Sequence, residues 1–144
     1  MKRLFPTKEQ REFRKMHRKH RRELVKLAKE TDEFDWGWLH DSVIMHIKHM
    51  YEYYSAGNNV WQTEETLNPI IESLKHVLDL QEELDHLFDI EIDGMTCTIS
   101  KDGVVTIRYS EDAVQARSYR YTREDELYKE IYYYIAEHIR EWWD

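Results

Sequence analysis

The sequence predicts an α+β fold, mainly α: a basic N-terminal helix, an antiparallel helix pair, a small three-stranded antiparallel meander and a C-terminal helix. Apolar residues recur every three or four positions through most of the 144 residues, the spacing of one face of an α-helix. Between residues 89 and 109 the period changes to two, and two Asp-Gly pairs interrupt it, as in short strands joined by tight turns. No repeat and no Pro/Gly/Ser-rich linker divides the chain, so residues 1–144 are expected to form a single domain.

Thr7 and Gln10 have the spacing of a capping box, which starts a helix by satisfying two free backbone donors. This first helix is expected to run to about Lys29, within a basic segment covering residues 1–30. Its apolar stripe of Phe13, Met16, Leu24 and Leu27 is thin, and His17 and His20 interrupt it, leaving one face to dock. Asp35 is the expected N-cap of a second helix with apolar positions Trp36, Leu39, Val43, Ile47, Met50 and Tyr54. Ser55 to Asn59 breaks the period with turn-forming residues.

Asn68-Pro69 is the expected start of the third helix, where proline's missing N–H has no partner to lose. Ile70, Ile71, Leu74, Val77, Leu78, Leu84 and Phe88 continue it, so residues 35–88 read as an antiparallel helical hairpin whose joint face is the core. Residues 89–109 form the meander: Ile90 to Ile92 up to Asp93-Gly94, Met95 to Ser100 up to Asp102-Gly103, then Val104 to Tyr109. Ser110 to Tyr121 stays open between the two periods. Thr122 is the expected cap of the last helix, residues 122–144, with Leu127, Ile131, Tyr134, Ile135, His138, Ile139 and Trp142 on one apolar and aromatic face.

Charged residues are 35% of the chain, yet 41% are hydrophobic and five Trp and ten Tyr are present, too many large apolar groups for a disordered polymer. Cys97 is the single cysteine, which excludes an intrachain disulfide and a multi-cysteine zinc site and points to a reducing compartment. The longest apolar run, Ile131 to Ala136, is far short of the roughly 20 residues that span a bilayer. No apolar stretch follows Lys2-Arg3 as a signal peptide requires. A cytoplasmic protein with no membrane partner is expected.

The net charge of −8 is divided unevenly. Residues 1–30 carry twelve Lys or Arg against four Glu, for +8, and residues 31–144 carry nine against twenty-five acidic groups, for −16. In the first helix Arg11, Lys15, Arg18, Arg22, Lys26 and Lys29 fall on one broad face, flanked by Arg14, Lys19 and Arg21. Such a row suits phosphates, and the same row suits the protein's own acidic surface or plain solvation.

Catalytic and metal-binding patterns fail on geometry. At about 100° per residue, His46 and His49 lie about 240° and 180° around a helix from His40, so the three do not converge on an ion. His40-Asp41 has the dipeptide of HD-type phosphohydrolases, but His17 and His20, which would complete a metal centre, lie in a cationic segment that repels a divalent ion. Glu82-x-x-Asp85 is half of the magnesium pattern of all-α nucleotide pyrophosphatases, and Glu83-x-x-His86 is one of the two motifs a di-iron bundle needs. Neither has its other half. The four glycines are isolated, so no phosphate loop exists, and Cys97 between Thr96 and Thr98 lacks an activating base. No metal and no cofactor is expected, and the pattern points away from an enzyme.

Asp35-Trp36-Gly37-Trp38, then Asp41, Lys48, Met50, Tyr53-Tyr54, Gly57 and Asn59-Val60-Trp61 carry an Asp-Trp-Gly-aromatic start, a Lys-x-Met helix and a Gly-x-Asn-Val turn. Over residues 10–88 this pattern resembles a group of small proteins encoded by bacteriophages and prophages. The resemblance implies expression in a bacterial host cytoplasm and a role in phage accessory biology, and it brings no active residue with it. Trp36, Trp38 and Trp61 read either as core anchors or as a surface hot spot.

Three functional expectations follow, in order. The first is a non-enzymatic interaction protein that offers its basic and acidic surfaces to a host or phage protein, with self-association also compatible. The second is nucleic-acid binding through the first helix; a related reading lets the acidic surface mimic DNA towards a host defence nuclease. The third is a metal-dependent helical phosphohydrolase. The binding residues expected are Arg11, Arg14, Lys15, Arg18, Lys19, Arg22, Trp36, Trp38 and Trp61.

Overall fold

The first and last helices begin where a side chain satisfies their free backbone donors. The computed structural model describes residues 7–30, 36–57, 63–89 and 91–142, which form α1 (Lys8–Glu30), α2 (Trp36–Ser55), α3 (Glu64–Asp89), β1 (Met95–Ile99), β2 (Val105–Tyr109) and α4 (Glu111–His138). The capping box of α1 closes reciprocally: the Gln10 N–H donates to Thr7 Oγ1 at 3.2 Å and the Thr7 N–H to Gln10 Oε1 at 3.1 Å. At the other end of α2, Gly57 adopts φ +65°, the left-handed geometry that ends many helices. Asp35, Ile90 and Trp61 lie outside the described residues.

Three sequence-based expectations are corrected. α3 starts at Glu64, ahead of Asn68, because the Thr63 carbonyl already accepts the Leu67 N–H at 3.0 Å; Pro69 therefore sits inside the helix. α4 starts at Glu111, eleven residues before the expected 122. Ser110 is its N-cap, with Oγ accepting the Ala113 N–H at 3.2 Å, and Glu111 and Asp112 add favourable charge in the first turn. Thr122 lies mid-helix, its hydroxyl donating back to the Ser118 carbonyl at 3.0 Å, a bond that a helix interior allows. The helix ends at His138, so Trp142 lies beyond its helical face.

The third correction concerns the meander, which has two strands among the described residues and not three. The second Asp-Gly makes the turn: the Gly103 N–H donates to the Ser100 carbonyl at 3.0 Å, the Ser100 N–H to the Val104 carbonyl at 2.9 Å, and Gly103 takes φ +77°. The first Asp-Gly does something else. Gly94 closes the base of the ribbon, accepting the Ser110 N–H at 2.8 Å, and a Cβ there would stand 2.3 Å from Ser110 Oγ. Its glycine serves close approach, not a strand reversal, and residues 91–93 join no ladder.

The chain divides into two compact units, one of Met1–Leu78 with Glu141–Asp144 and one of Asp79–Arg140. In the first, Ile47, Leu67, Ile70, Leu74, Val77 and Trp142 are buried, and the helices whose backbones approach most closely are α1 and α2. Trp142 is locked from both ends. Its indole N–H donates to Ser73 Oγ at 3.0 Å and its carbonyl accepts the Tyr54 hydroxyl at 2.7 Å. In the second unit Leu80, Leu84 and Leu87 of α3 and Ala113, Leu127, Ile131 and Ile135 of α4 are buried. There the Arg123 guanidinium donates twice to Glu83 Oε1, at 2.7 and 3.0 Å.

Trp142→Ala removes a side chain left only 1% exposed and is expected to cost about 3–5 kcal/mol. Ser73→Ala, which strands the indole N–H, should cost about 1–3 kcal/mol. Urea unfolding of the full chain measures both; a loss under about 0.5 kcal/mol for Trp142→Ala would contradict this packing.

Candidate functional site: the α1–α2 pair

α1 is two-faced by helical arithmetic. At about 100° per residue, Phe13, Met16, His20, Leu24 and Leu27 lie within about 40° of one line, while Arg11, Lys15, Arg18, Arg22 and Lys29 lie within about 40° of the opposite line. His20 stands at the centre of the first stripe. It therefore completes the docking face that the sequence reading had it interrupt.

His20 stacks on His49 of α2 with ring centroids 3.7 Å apart and planes 3° from parallel. Each imidazole is held by a carboxylate from the opposite helix: Glu23 of α1 lies 2.8 Å from His49 Nε2, and Glu52 of α2 lies 3.3 Å from His20 Nε2. An ionised carboxylate only accepts, so each Nε2 carries the hydrogen. Lys19 adds a third link, 3.0 Å from Glu52 Oε2. Phe13 meets Tyr53 edge to face at 5.7 Å. Beside these groups lies a cavity of about 360 Å³ with Met16, Leu24, Met50 and Tyr54 among its lining residues.

The opposite face is open. Arg11, Arg14, Lys15, Arg18, Lys19, Arg21, Arg22, Lys26 and Lys29 are all exposed. Lys19 is used internally and Lys26 reaches Glu30 of its own helix at 3.7 Å. Among the described residues no carboxylate lies within ion-pair range of Arg14, Lys15, Arg18, Arg21, Arg22 or Lys29; Arg18 Nε donates to the Arg14 carbonyl at 3.1 Å.

The tryptophans do not join this face. Trp36 is 52% exposed at the start of α2, with its ring 6.5 Å from that of His40. Trp38 is half-buried, and its indole N–H has no acceptor among the described residues. Trp61 lies outside the described residues. The other motifs also stand apart: His46 and His49 rings are 6.4 Å apart at 77°, His40 is buried, Asp85 accepts from Gln81 at 2.8 Å and Glu83 is held by Arg123. Among the described residues no three of His, Cys, Asp or Glu are grouped to hold a metal ion.

Glu23, His49 and Glu52 are the site residues that sequence reasoning missed. The available signal was Glu23 and His20 three residues apart beside the apolar stripe, where half-buried polar groups need partners. No known family model, curated protein or solved structure matches the chain. No described helix is long and apolar enough to cross a membrane.

Burial pushes the His49 pKa below its ordinary 6.5, outweighing the hydrogen bond His49 donates to Glu23, and the neighbouring His20 pushes it further down. Burial alone would raise Glu52, but Lys19 and His20 together hold it below 4.5. A depressed histidine leaves stability intact above its unfolded pKa and loses it as pH falls towards the folded value, because the unfolded chain takes up the proton first. Glu52 acts in the same direction only below its own ordinary value. The urea midpoint should therefore fall between about pH 7.5 and about pH 5.5, through His49 and not Glu52. His49→Gln should lower the midpoint at neutral pH and shrink that fall. An equal fall in both proteins would assign the effect to other histidines.

Proposed function

We propose that this protein is a non-enzymatic accessory protein of bacteriophage origin that binds a host or phage macromolecule through the exposed face of α1. One observation supports this above the others: α1 docks through the face opposite its cations, and most of those cations meet no carboxylate among the described residues. A helix serving only its own acidic surface would turn its arginines inwards. Arg14, Lys15, Arg18 and Arg22 span about 12 Å of helix, enough for several charge-assisted contacts with an anionic patch. The preferred partner is a protein with such a patch, and the resemblance of residues 10–88 to phage proteins favours an infected host as the setting.

Nucleic acid is the second reading, favoured by the same unpaired row because phosphates present negative charge at regular spacing. The test uses one variant, with Arg14, Lys15, Arg18 and Arg22 all changed to Ala. Exposed sites cost little, so its helicity and melting should stay close to wild type. If duplex DNA or RNA is the ligand, log K falls against log salt with a slope of about −4, and the slope is lost in the variant. If a protein is the ligand, affinity purification from the host retains one polypeptide, nuclease treatment leaves it bound, and the variant releases it. Retention by the variant equal to wild type in both arms would overturn the role of α1.

A further inference from the structure

The β-ribbon of the second unit is amphipathic, and its apolar face is uncovered. The register sets Met95 opposite Tyr109, Cys97 opposite Ile107 and Ile99 opposite Val105. Side chains alternate across a strand, so these six share one face, and Thr96, Thr98, Thr106 and Arg108 share the other. In a packed sheet the first face would be the inner one. Here Met95 is 59% exposed, Ile99 73%, Val105 57% and Ile107 52%. Only at the base does α4 reach it, where the Arg117 guanidinium lies 4.4 Å from the centre of the Tyr109 ring. A two-stranded ribbon with one bare apolar face is marginal in water.

We propose that this face is covered by the same face of a second copy of the chain, in a symmetric homodimer. In a two-fold contact a patch meets itself, so any charge on it opposes its own sign. None of the six residues is charged. Residues 94–110 carry Lys101 and Arg108 against Asp102, whereas residues 31–144 as a whole carry nine cations against twenty-five acids. The ribbon is therefore where two copies of the acidic part approach with least repulsion. A strongly charged partner would find a counter-charge only at the base, in Arg117 beside Tyr109, and none along the rest of the face. The six side chains offer on the order of 400 Å² of apolar surface per copy, so a pair buries less than the roughly 1,200 Å² of stable complexes. The dimer is accordingly weak, with a Kd of about 10–100 µM.

Sedimentation equilibrium of the full chain from about 5 to about 500 µM reads this directly. The wild-type mass should rise from 17.8 kDa towards twice that value. Ile107→Glu and Ile99→Lys, each placing a charge on the exposed face, should stay monomeric throughout. Thr106→Glu, on the opposite face, should associate like wild type. Cys97, the single cysteine, sits in the middle cross-strand pair, so a short bismaleimide should join wild-type chains into a dimer and fail with Ile107→Glu. A wild-type mass fixed at 17.8 kDa, or the same association in all four proteins, or equal loss in Thr106→Glu and Ile107→Glu, overturns the proposal.

Discussion

The reciprocal array Glu52–His20 and His49–Glu23 fixes how α1 is presented. Each acid is supplied by one helix and each imidazole partner by the other, so neither helix is satisfied alone. The stacked rings at 3.7 Å fill the centre of a stripe that would otherwise be thin, and the arrangement leaves the opposite side of α1 to its cations. Side-chain exposures of 14% for His20 and 7% for His49 set this contact apart from surface pairs such as Lys26–Glu30, whose members are 74% and 61% exposed and which add little to stability. Loss of Glu23 would strand the buried His49 imidazole and loss of Glu52 the half-buried His20 imidazole, a larger penalty than loss of a surface ion pair.

Much of the fold was legible because helix signals are local. The capping box at Thr7 and Gln10, the α2 periodicity and the turn at Ser55 to Gly57 all depend on neighbours within a few residues. The misses came where one local signal served two purposes. Asp93-Gly94 has the composition of a hairpin turn, but its glycine admits Ser110 at the ribbon base. Thr122 has the chemistry of a cap, yet Ser110 was better placed, followed by two acids and then by Ala113, Leu127, Ile131 and Ile135 on one buried line. Asn68-Pro69 marked the helix from inside, since the cap at Thr63 satisfies donors earlier. The cationic row was legible from spacing alone. Its docking partners were not, because pairing His20 with Glu52 joins residues 32 apart and no periodicity encodes that.

The charge split acquires a spatial meaning from these contacts. Of the acidic residues, Glu23 and Glu52 are turned to α1's inner side, where they hold imidazoles and Lys19. In the second unit Arg123 engages Glu83 and Glu126 and Lys129 engages Asp125, so these two cations of the acidic region are committed locally. The cations of α1 are mostly uncommitted among the described residues. A partner that brings negative charge gains there without first breaking internal pairs, which is why the proposed function rests on α1 rather than on the acidic surface.

Why the stripe should hold histidines at all can be argued from register. Phe13, Met16, Leu24 and Leu27 alone form a greasy, repetitive surface on which a helix can slide by a turn at small cost. An imidazole at position 20 and a carboxylate at position 23 cannot slide, because a shift of one turn leaves His49 and Glu52 facing carbon, at about 1–3 kcal/mol for each unsatisfied group. Replacing such a polar pair by leucine often leaves stability unchanged or raises it, so stability is not what the array supplies. Its effect is to fix one register, and with it the line along which Arg11, Lys15, Arg18 and Arg22 are displayed.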